Sequence, residues 1–248
     1  MLTTAIHQVR PAIVPFLERA QNCLTCPARS KSVCAAAEIN ELDRLGGLVA
    51  PQQLMAGDTL IEEGDEATHL FTVTAGSMKV FKLLHDGRRQ VTGFLFQGDF
   101  LGLAFRDTYT YSAEALTDTT ICRFPRRQFD GFIKTRPAME RRLLAMASNE
   151  LAAAQDQMVV LGRKTAQERV ASFLLGLIRR QERLGRDGKA IRLTMTRSDI
   201  ADYLGLTTET VSRTFTNLRA DGFIELDGTT LVRALDREAL RHIAEGAA

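Results

Sequence analysis

Three patterns of apolar spacing follow one another along the chain. From about residue 46, short apolar runs are punctuated by Gly57, Gly64, Gly76, Gly87, Gly93, Gly98 and Gly102. That is the pattern of short strands joined by tight turns. Ala75-Gly76-Ser77 reads as a hairpin turn between strands at 69–74 and 78–84, and Asp86-Gly87 turns the chain into a strand at 89–96. Residues 119–124 form a further strand, and several such strands predict a small barrel or jelly roll. After Pro137 the period lengthens. Leu144, Ala147, Leu151, Ala154, Met158 and Leu161 recur at alternating spacings of three and four, an a/d seam that predicts a helix pairing in parallel with a second copy of itself. Residues 164–182 predict another amphipathic helix, with Thr165 and Glu168 as its capping box. The polar stretch 183–190 reads as a loop.

The third pattern is the densest in signals. Ile200, Ala201 and Leu204 fit one face of a short helix at 197–204, Gly205 supplies a tight turn, and Thr207 caps a second helix running to about Asp221. This is a helix-turn-helix, whose second helix enters the DNA major groove. Val211, Phe215 and Leu218 form its core face, while Glu209, Ser212 and Arg213 gather on another. Arginine grips guanine O6 and N7, and a carboxylate accepts from the cytosine amino group. Residues 222–235 alternate like a two-stranded wing turning at Asp227-Gly228.

Composition narrows the classes. With 248 residues, 45% hydrophobic and 25% charged, the chain is an ordinary globular protein of one large or two modest domains. The net charge of +2 identifies no partner. Its distribution tilts, however, with 15 Lys/Arg against 12 Asp/Glu in residues 163–248, which permits nucleic-acid binding there. No run approaches the roughly 18 apolar residues of a membrane span. His7, Gln8, Arg10 and two prolines interrupt the apolar content of the first residues, so a secretion signal is not expected and the cytoplasm is. His7, His69, His85 and His242 are scattered, and no phosphate loop, dinucleotide fingerprint or nucleophile elbow appears. Enzymatic activity is not expected.

The four cysteines are Cys23, Cys26, Cys34 and Cys122. A reducing compartment disfavours two structural disulfides. Cys122 alone would pass for a small core residue. The C-x2-C-x7-C cluster lets a short looping segment turn several soft thiolates toward one point, which suits structural zinc or an iron–sulfur cluster. Zinc sites more often show two tight C-x2-C pairs, and here there is one; spacing leaves both metals open. Arg19, Arg29 and Lys31 are expected to lower the nearby thiol pKa values.

Together these pieces resemble the CRP/FNR family of bacterial transcription regulators over nearly the whole chain. The most specific stretches are RLTMTRSDIADYLGLTTETVSR at 192–213 and the cysteine set. The resemblance implies an α+β protein: a cysteine-bearing segment at 1–45, an antiparallel β-roll of the cyclic-nucleotide-binding, jelly-roll type at 46–136, a dimerisation helix at 137–162 and a winged helix-turn-helix at 163–248. Within the family the chain is similar to the FNR branch, which senses oxygen with a 4Fe–4S cluster held by three N-terminal cysteines and one in the barrel. That implies Cys23, Cys26, Cys34 and Cys122 as metal ligands, and the x7 gap resembles the FnrN/FnrL-like subgroup. The family's E-x-x-S-R motif falls on Glu209, Ser212 and Arg213. It implies a two-fold double-stranded DNA site of the type TTGAT-N4-ATCAA, with Arg213 on guanine, Glu209 on the paired cytosine and Ser212 on thymine.

The resemblance also implies a homodimeric activator of anaerobic and microaerobic genes. It further implies that cluster binding promotes dimerisation, here through Leu144, Ala147, Leu151, Ala154, Met158 and Leu161, and that oxygen destroys the cluster and switches the protein off. A structural zinc or a thiol redox sensor in its place is the alternative. RNA polymerase is the expected further partner, through the Asp86-Gly87 turn and residues 183–190. Cyclic nucleotide is not expected. In the stretch at 98–115, Tyr111 stands before Ser112-Ala113 where nucleotide-binding members carry Arg, and Leu101-Gly102 stands where they carry Gly-Glu. The best-known FNR-branch members carry Asp where this chain has Ala154.

Overall fold

The short glycine-punctuated runs form eight strands: β1 (Ala50–Leu54), β2 (Thr59–Ile61), β3 (His69–Ala75), β4 (Ser77–Leu83), β5 (Arg89–Phe96), β6 (Phe100–Leu101), β7 (Ser112–Ala115) and β8 (Thr119–Pro125). In this computed structural model, which describes residues 23–103, 107–185 and 187–246, they make two four-stranded sheets ordered β1-β8-β3-β6 and β2-β7-β4-β5. That order is an eight-stranded jelly roll. Val73, Met78, Leu95, Ala113 and Ile121 fill the space between the sheets. Residues 1–22 of the expected cysteine segment, with His7 and Arg19, lie outside the described residues.

One of the two expected hairpins is a different object. β4 and β5 pair through the Asp86-Gly87 turn, but β3 and β4 belong to opposite sheets. The Ala75-Gly76-Ser77 turn therefore carries the chain across the sandwich. Gly76 has φ +85°, and a Cβ there would lie 2.4 Å from Thr119 Oγ1, so only glycine makes this crossing without displacing β8.

Helix α1 (Ile39–Leu48) precedes the barrel and straddles the expected 45/46 boundary. Helix α2 (Arg126–Ile133) follows the barrel, and α3 (Pro137–Arg163) runs for 27 residues with proline at its start. Helix α4 (Ala166–Arg183) begins at the expected Thr165–Glu168 capping box. The helix-turn-helix is α5 (Arg197–Leu204) and α6 (Thr208–Ala220), joined through Gly205 at φ +60°. The wing has three strands rather than two. β10 (Ile224–Asp227) and β11 (Leu231–Ala234) form the expected hairpin, and β9 (Ala190–Arg192) adds to β11. The stretch taken as a loop thus ends in a strand, because Ile191 is needed under the helices. A last helix, α7 (Arg237–Glu245), packs Leu240 and Ala244 into the same core. Among the described residues no helix is long and apolar enough to cross a membrane.

The barrel and the helix-turn-helix unit meet across a buried ion network. Lys79 on β4 contacts Glu114 at 2.8 Å and Asp199 at 3.0 Å, and the Lys79 and Asp199 side chains are 6% and 4% exposed. Arg89 on β5 reaches Asp199 at 3.1 Å and Asp202 at 2.8 Å. Asp199 also closes the α5 capping box with Thr196. Burial alone would raise its pKa, but hydrogen bonds from Thr196 and Lys79 outweigh it and hold the carboxyl below its ordinary value. The stability it contributes is complete above the ordinary carboxylate range and fades as pH falls through the lowered pKa. Lys79→Met leaves Asp199 buried with one cation fewer. The expected cost is about 3 kcal/mol, the low end for a broken buried pair because Arg89 remains. Urea unfolding measures it, and an unchanged midpoint contradicts it.

Candidate functional site

The structure brings all four cysteines to one place. Cys23, Cys26 and Cys34 belong to the segment that loops ahead of α1, with Cys34 in a 3₁₀ turn (Val33–Ala36) capped by the Ser32 side chain. Cys122 lies on β8, on the outer face of its sheet, opposite Pro51 on one side and Thr72 on the other. Between segment and sheet is a cavity of about 270 Å³ lined by the four cysteines, with Leu45, Val49 and Phe124 among its apolar walls. A water needs only roughly 10–15 Å³ measured this way, so the space admits a group of many atoms.

Among the described residues, no three Cys, His, Asp or Glu side chains come close enough to share one metal ion. Four thiolates on one zinc would each need to lie about 2.3 Å from it. A polynuclear cluster lets each thiolate bind its own iron, so the sulfur atoms stand further apart.

The thiol pKa values run opposite to the sequence expectation. Burial raises Cys23, pushes Cys34 up to about 11, and raises Cys122 well above its ordinary value, and neighbouring cysteines add to each rise. Arg29 lowers Cys23, but burial outweighs it. Lys31 spends its ammonium on Gln97, 3.3 Å away. Sequence shows which charges are near and not how deep a thiol lies. These three thiols would ionise at neutral pH only against a positive centre in the cavity.

The cavity is mechanically connected to the long helix. Cys23, Cys34 and Cys122 pack against a core of Val33, Leu42, Leu45, Phe124, Phe129 and Met139, and Met139 is the third residue of α3, in its first turn. Arg142, one turn further along α3, donates to the carbonyl of Lys31 at 3.1 Å. On that helix Leu144, Leu151 and Met158 are 67%, 62% and 71% exposed. Ala154 is also exposed, while Ala147 and Leu161 are half-buried against their own chain. Leu144, Leu151 and Met158, seven residues apart, thus leave an exposed apolar stripe on α3 of the kind that packs against a partner.

At the far end of α3, Arg169 joins helix to reader. Its guanidinium donates to Leu161 O at 2.9 Å, to Leu204 O at 2.8 Å and, through Nε, to Lys164 O at 2.8 Å. It thus caps the last carbonyls of α3 and α5 together. Gln157 adds a bond to Tyr203 O at 3.0 Å. Sequence reasoning missed Arg142 and Arg169, because a backbone carbonyl as partner leaves no complementary residue type to find.

The two faces of α6 divide by burial as the apolar spacing predicts. Val211, Phe215 and Leu218 are buried, and Glu209, Ser212 and Arg213 are exposed together on α6. Hydrogen bonds from Glu209's own backbone and the Thr207 hydroxyl hold the Glu209 carboxyl below its ordinary value. At neutral pH it is therefore an acceptor only, as recognition of a cytosine amino group requires. In the barrel, Tyr111 Oη accepts the N–H of Gly102 at 2.8 Å, and Tyr109 Oη donates to His69 O at 2.8 Å.

Comparison with known proteins assigns the two halves separately. Residues 51–136 match the cyclic nucleotide-binding domain family, and residues 168–243 match the Crp-like helix-turn-helix domain family. The nitrogen fixation regulation protein FixK of Bradyrhizobium diazoefficiens is 41% identical over 237 residues, covering 94% of this chain and 99% of that protein. The transcriptional activator protein FnrL of Cereibacter sphaeroides is 38% identical, covering 86% of this chain and 88% of that one. The solved structure of FixK2 from Bradyrhizobium japonicum superposes with a TM-score of 0.74 at 35% identity, covering 79% of this chain and 96% of the other.

Proposed function

The chain belongs to the CRP/FNR family of transcription regulators, and from that footing we propose that it is an oxygen-responsive activator of anaerobic and microaerobic genes, switched by a 4Fe–4S cluster on Cys23, Cys26, Cys34 and Cys122. The observation that carries the reading is the single cavity lined by every cysteine of the chain. When bound, the cluster supplies a positive, oxygen-labile centre for four thiolates.

The chain's own residues do the rest. Cys23, Cys26 and Cys34 tie the N-terminal segment to Cys122 on the sheet. Arg142 and the Met139 core hold the first turns of α3 against that segment. A fixed start sets the direction of α3 and brings Leu144, Leu151 and Met158 against the same residues of a second copy. Arg169 transmits the position of the helix end to α5. Two α6 helices then meet successive major grooves, with Arg213, Glu209 and Ser212 at the base edges of a TTGAT-N4-ATCAA-type site. When the sulfur ties are lost, the seam is held less firmly and half-site pairing weakens. The cofactor shifts the equilibrium only by its differential affinity for the two arrangements. RNA polymerase contacts fall to the exposed β4–β5 turn.

Ala154 makes the seam tolerant. An acidic residue there would set two like charges across the two-fold axis, so Ala154→Asp is expected to weaken the dimer of the metal-free protein by about tenfold or more. Sedimentation at micromolar concentration checks this. A metal-free wild type that is wholly monomeric, indistinguishable from the variant, contradicts it.

The cluster assignment is tested by purifying the protein without oxygen and titrating operator DNA before and after exposure to air. Affinity that falls with the visible absorbance supports it. A colourless, zinc-containing protein that binds DNA equally in air favours the structural-zinc alternative.

A further inference from the structure

Cys122 has two cross-strand neighbours on the outer face of its sheet, Pro51 on β1 and Thr72 on β3. Proline offers no donor. Directly opposed residues of an antiparallel pair hold their Cβ atoms about 4.5–5.5 Å apart, so Thr72 and Cys122 are side-by-side neighbours on that face. Thr72 lines the cysteine cavity and is 2% exposed. Its Oγ1 has no hydrogen-bond partner among the described residues. Thr74, two positions along the same strand and also at the cavity, donates to Thr120 O at 2.9 Å. The sheet thus satisfies one threonine hydroxyl through the backbone of β8 and leaves the other, at the same cavity, without a partner among the described residues. A buried hydroxyl without a partner carries a desolvation penalty that an acceptor in the cavity removes.

We propose that Thr72 Oγ1 donates a hydrogen bond to the Cys122 sulfur when that sulfur is a metal-bound thiolate, making Thr72 the positioning residue that tunes this ligand. The inference rests on the cluster reading above and adds to it a determinant of oxygen tolerance. Hydrogen bonds to ligand sulfurs draw electron density from them and raise the reduction potential of the centre they bind. Partners of this kind are commonly worth 10–100-fold in metal affinity or activity. Thr72 therefore slows oxidative loss of the metal centre.

Thr72→Val keeps the branched shape and deletes the donor, while Thr72→Ser keeps the donor. After anaerobic reconstitution, the Val variant is expected to lose its visible absorbance in air roughly tenfold faster than wild type and to show a lower midpoint potential, with Ser close to wild type. The metal-free proteins give an opposite readout. There the hydroxyl is an unsatisfied buried group, so Thr72→Val is expected to unfold at the same temperature as wild type or a higher one. An iron-loaded Val variant with wild-type potential and decay overturns this inference and leaves the cluster reading standing. Equal changes in Val and Ser, or a metal-free Val variant that unfolds well below wild type, also overturn it by pointing to packing. A wild type that takes up no iron overturns both.

Discussion

Arg213→Ala lowers affinity for a TTGAT-N4-ATCAA operator by roughly 30-fold to 10⁴-fold. A bidentate contact to guanine is worth about 1–3 kcal/mol of discrimination. A dimer makes it in each half-site, so about 2–6 kcal/mol is at stake. The side chain is exposed on α6 and takes no part in the core built by Val211, Phe215 and Leu218, so the fold is expected to survive. The loss should be largest for the guanine positions and small for sites already mutated there. Fluorescence anisotropy against matched and guanine-substituted operators measures both. Uniform loss on all sequences would instead assign Arg213 to the phosphate backbone.

Cys122→Ser is expected to reduce iron to background and to remove the difference between anoxic and aerated DNA binding. Of the four cysteines that line the cavity it is the one supplied by the barrel; the other three belong to the N-terminal segment. Without it the thiolates that remain cannot tie that segment to the sheet. The substitution is close to isosteric, and Cys122 lies beside the cavity, so the jelly roll should persist. Circular dichroism checks the fold while iron analysis and operator titration check the switch. Retained iron together with retained oxygen control contradicts the ligand assignment.

How much of this was legible before the structure depended on how local the signal was. The helix-turn-helix could be read almost to the residue. Its boundaries are set by neighbours in sequence: Thr196 with Asp199, Gly205 in the left-handed region, Thr207 with Thr210. The 3.6-residue period likewise showed which face of α6 is buried. Sheet pairing is different. Gly76 announced a reversal but not the partner of the next strand, which lies in the opposite sheet. The third strand of the wing and α7 were missed because they are short and gain their stability from the core they cover. Ion pairs between Lys79, Arg89 and Asp199 join residues more than a hundred positions apart, beyond any pattern of spacing.

The candidate site divides along the same line. The C-x2-C-x7-C spacing singled out Cys23, Cys26 and Cys34, because soft ligands in a tight cluster are uncommon without a shared purpose, and the family resemblance added Cys122; all four are among the residues that line the cavity. It gave the wrong sign for the thiol pKa values, since flanking Arg and Lys are visible in sequence and depth is not. Thr72 carried no sequence signal. Only the β3–β8 register places it beside Cys122.

The most direct test of the central claim is iron and acid-labile sulfide analysis of protein purified without oxygen, read together with its visible spectrum. The account predicts about four irons and four sulfides per chain and a brown protein that bleaches in air. A colourless protein holding one zinc, or no metal at all, contradicts it.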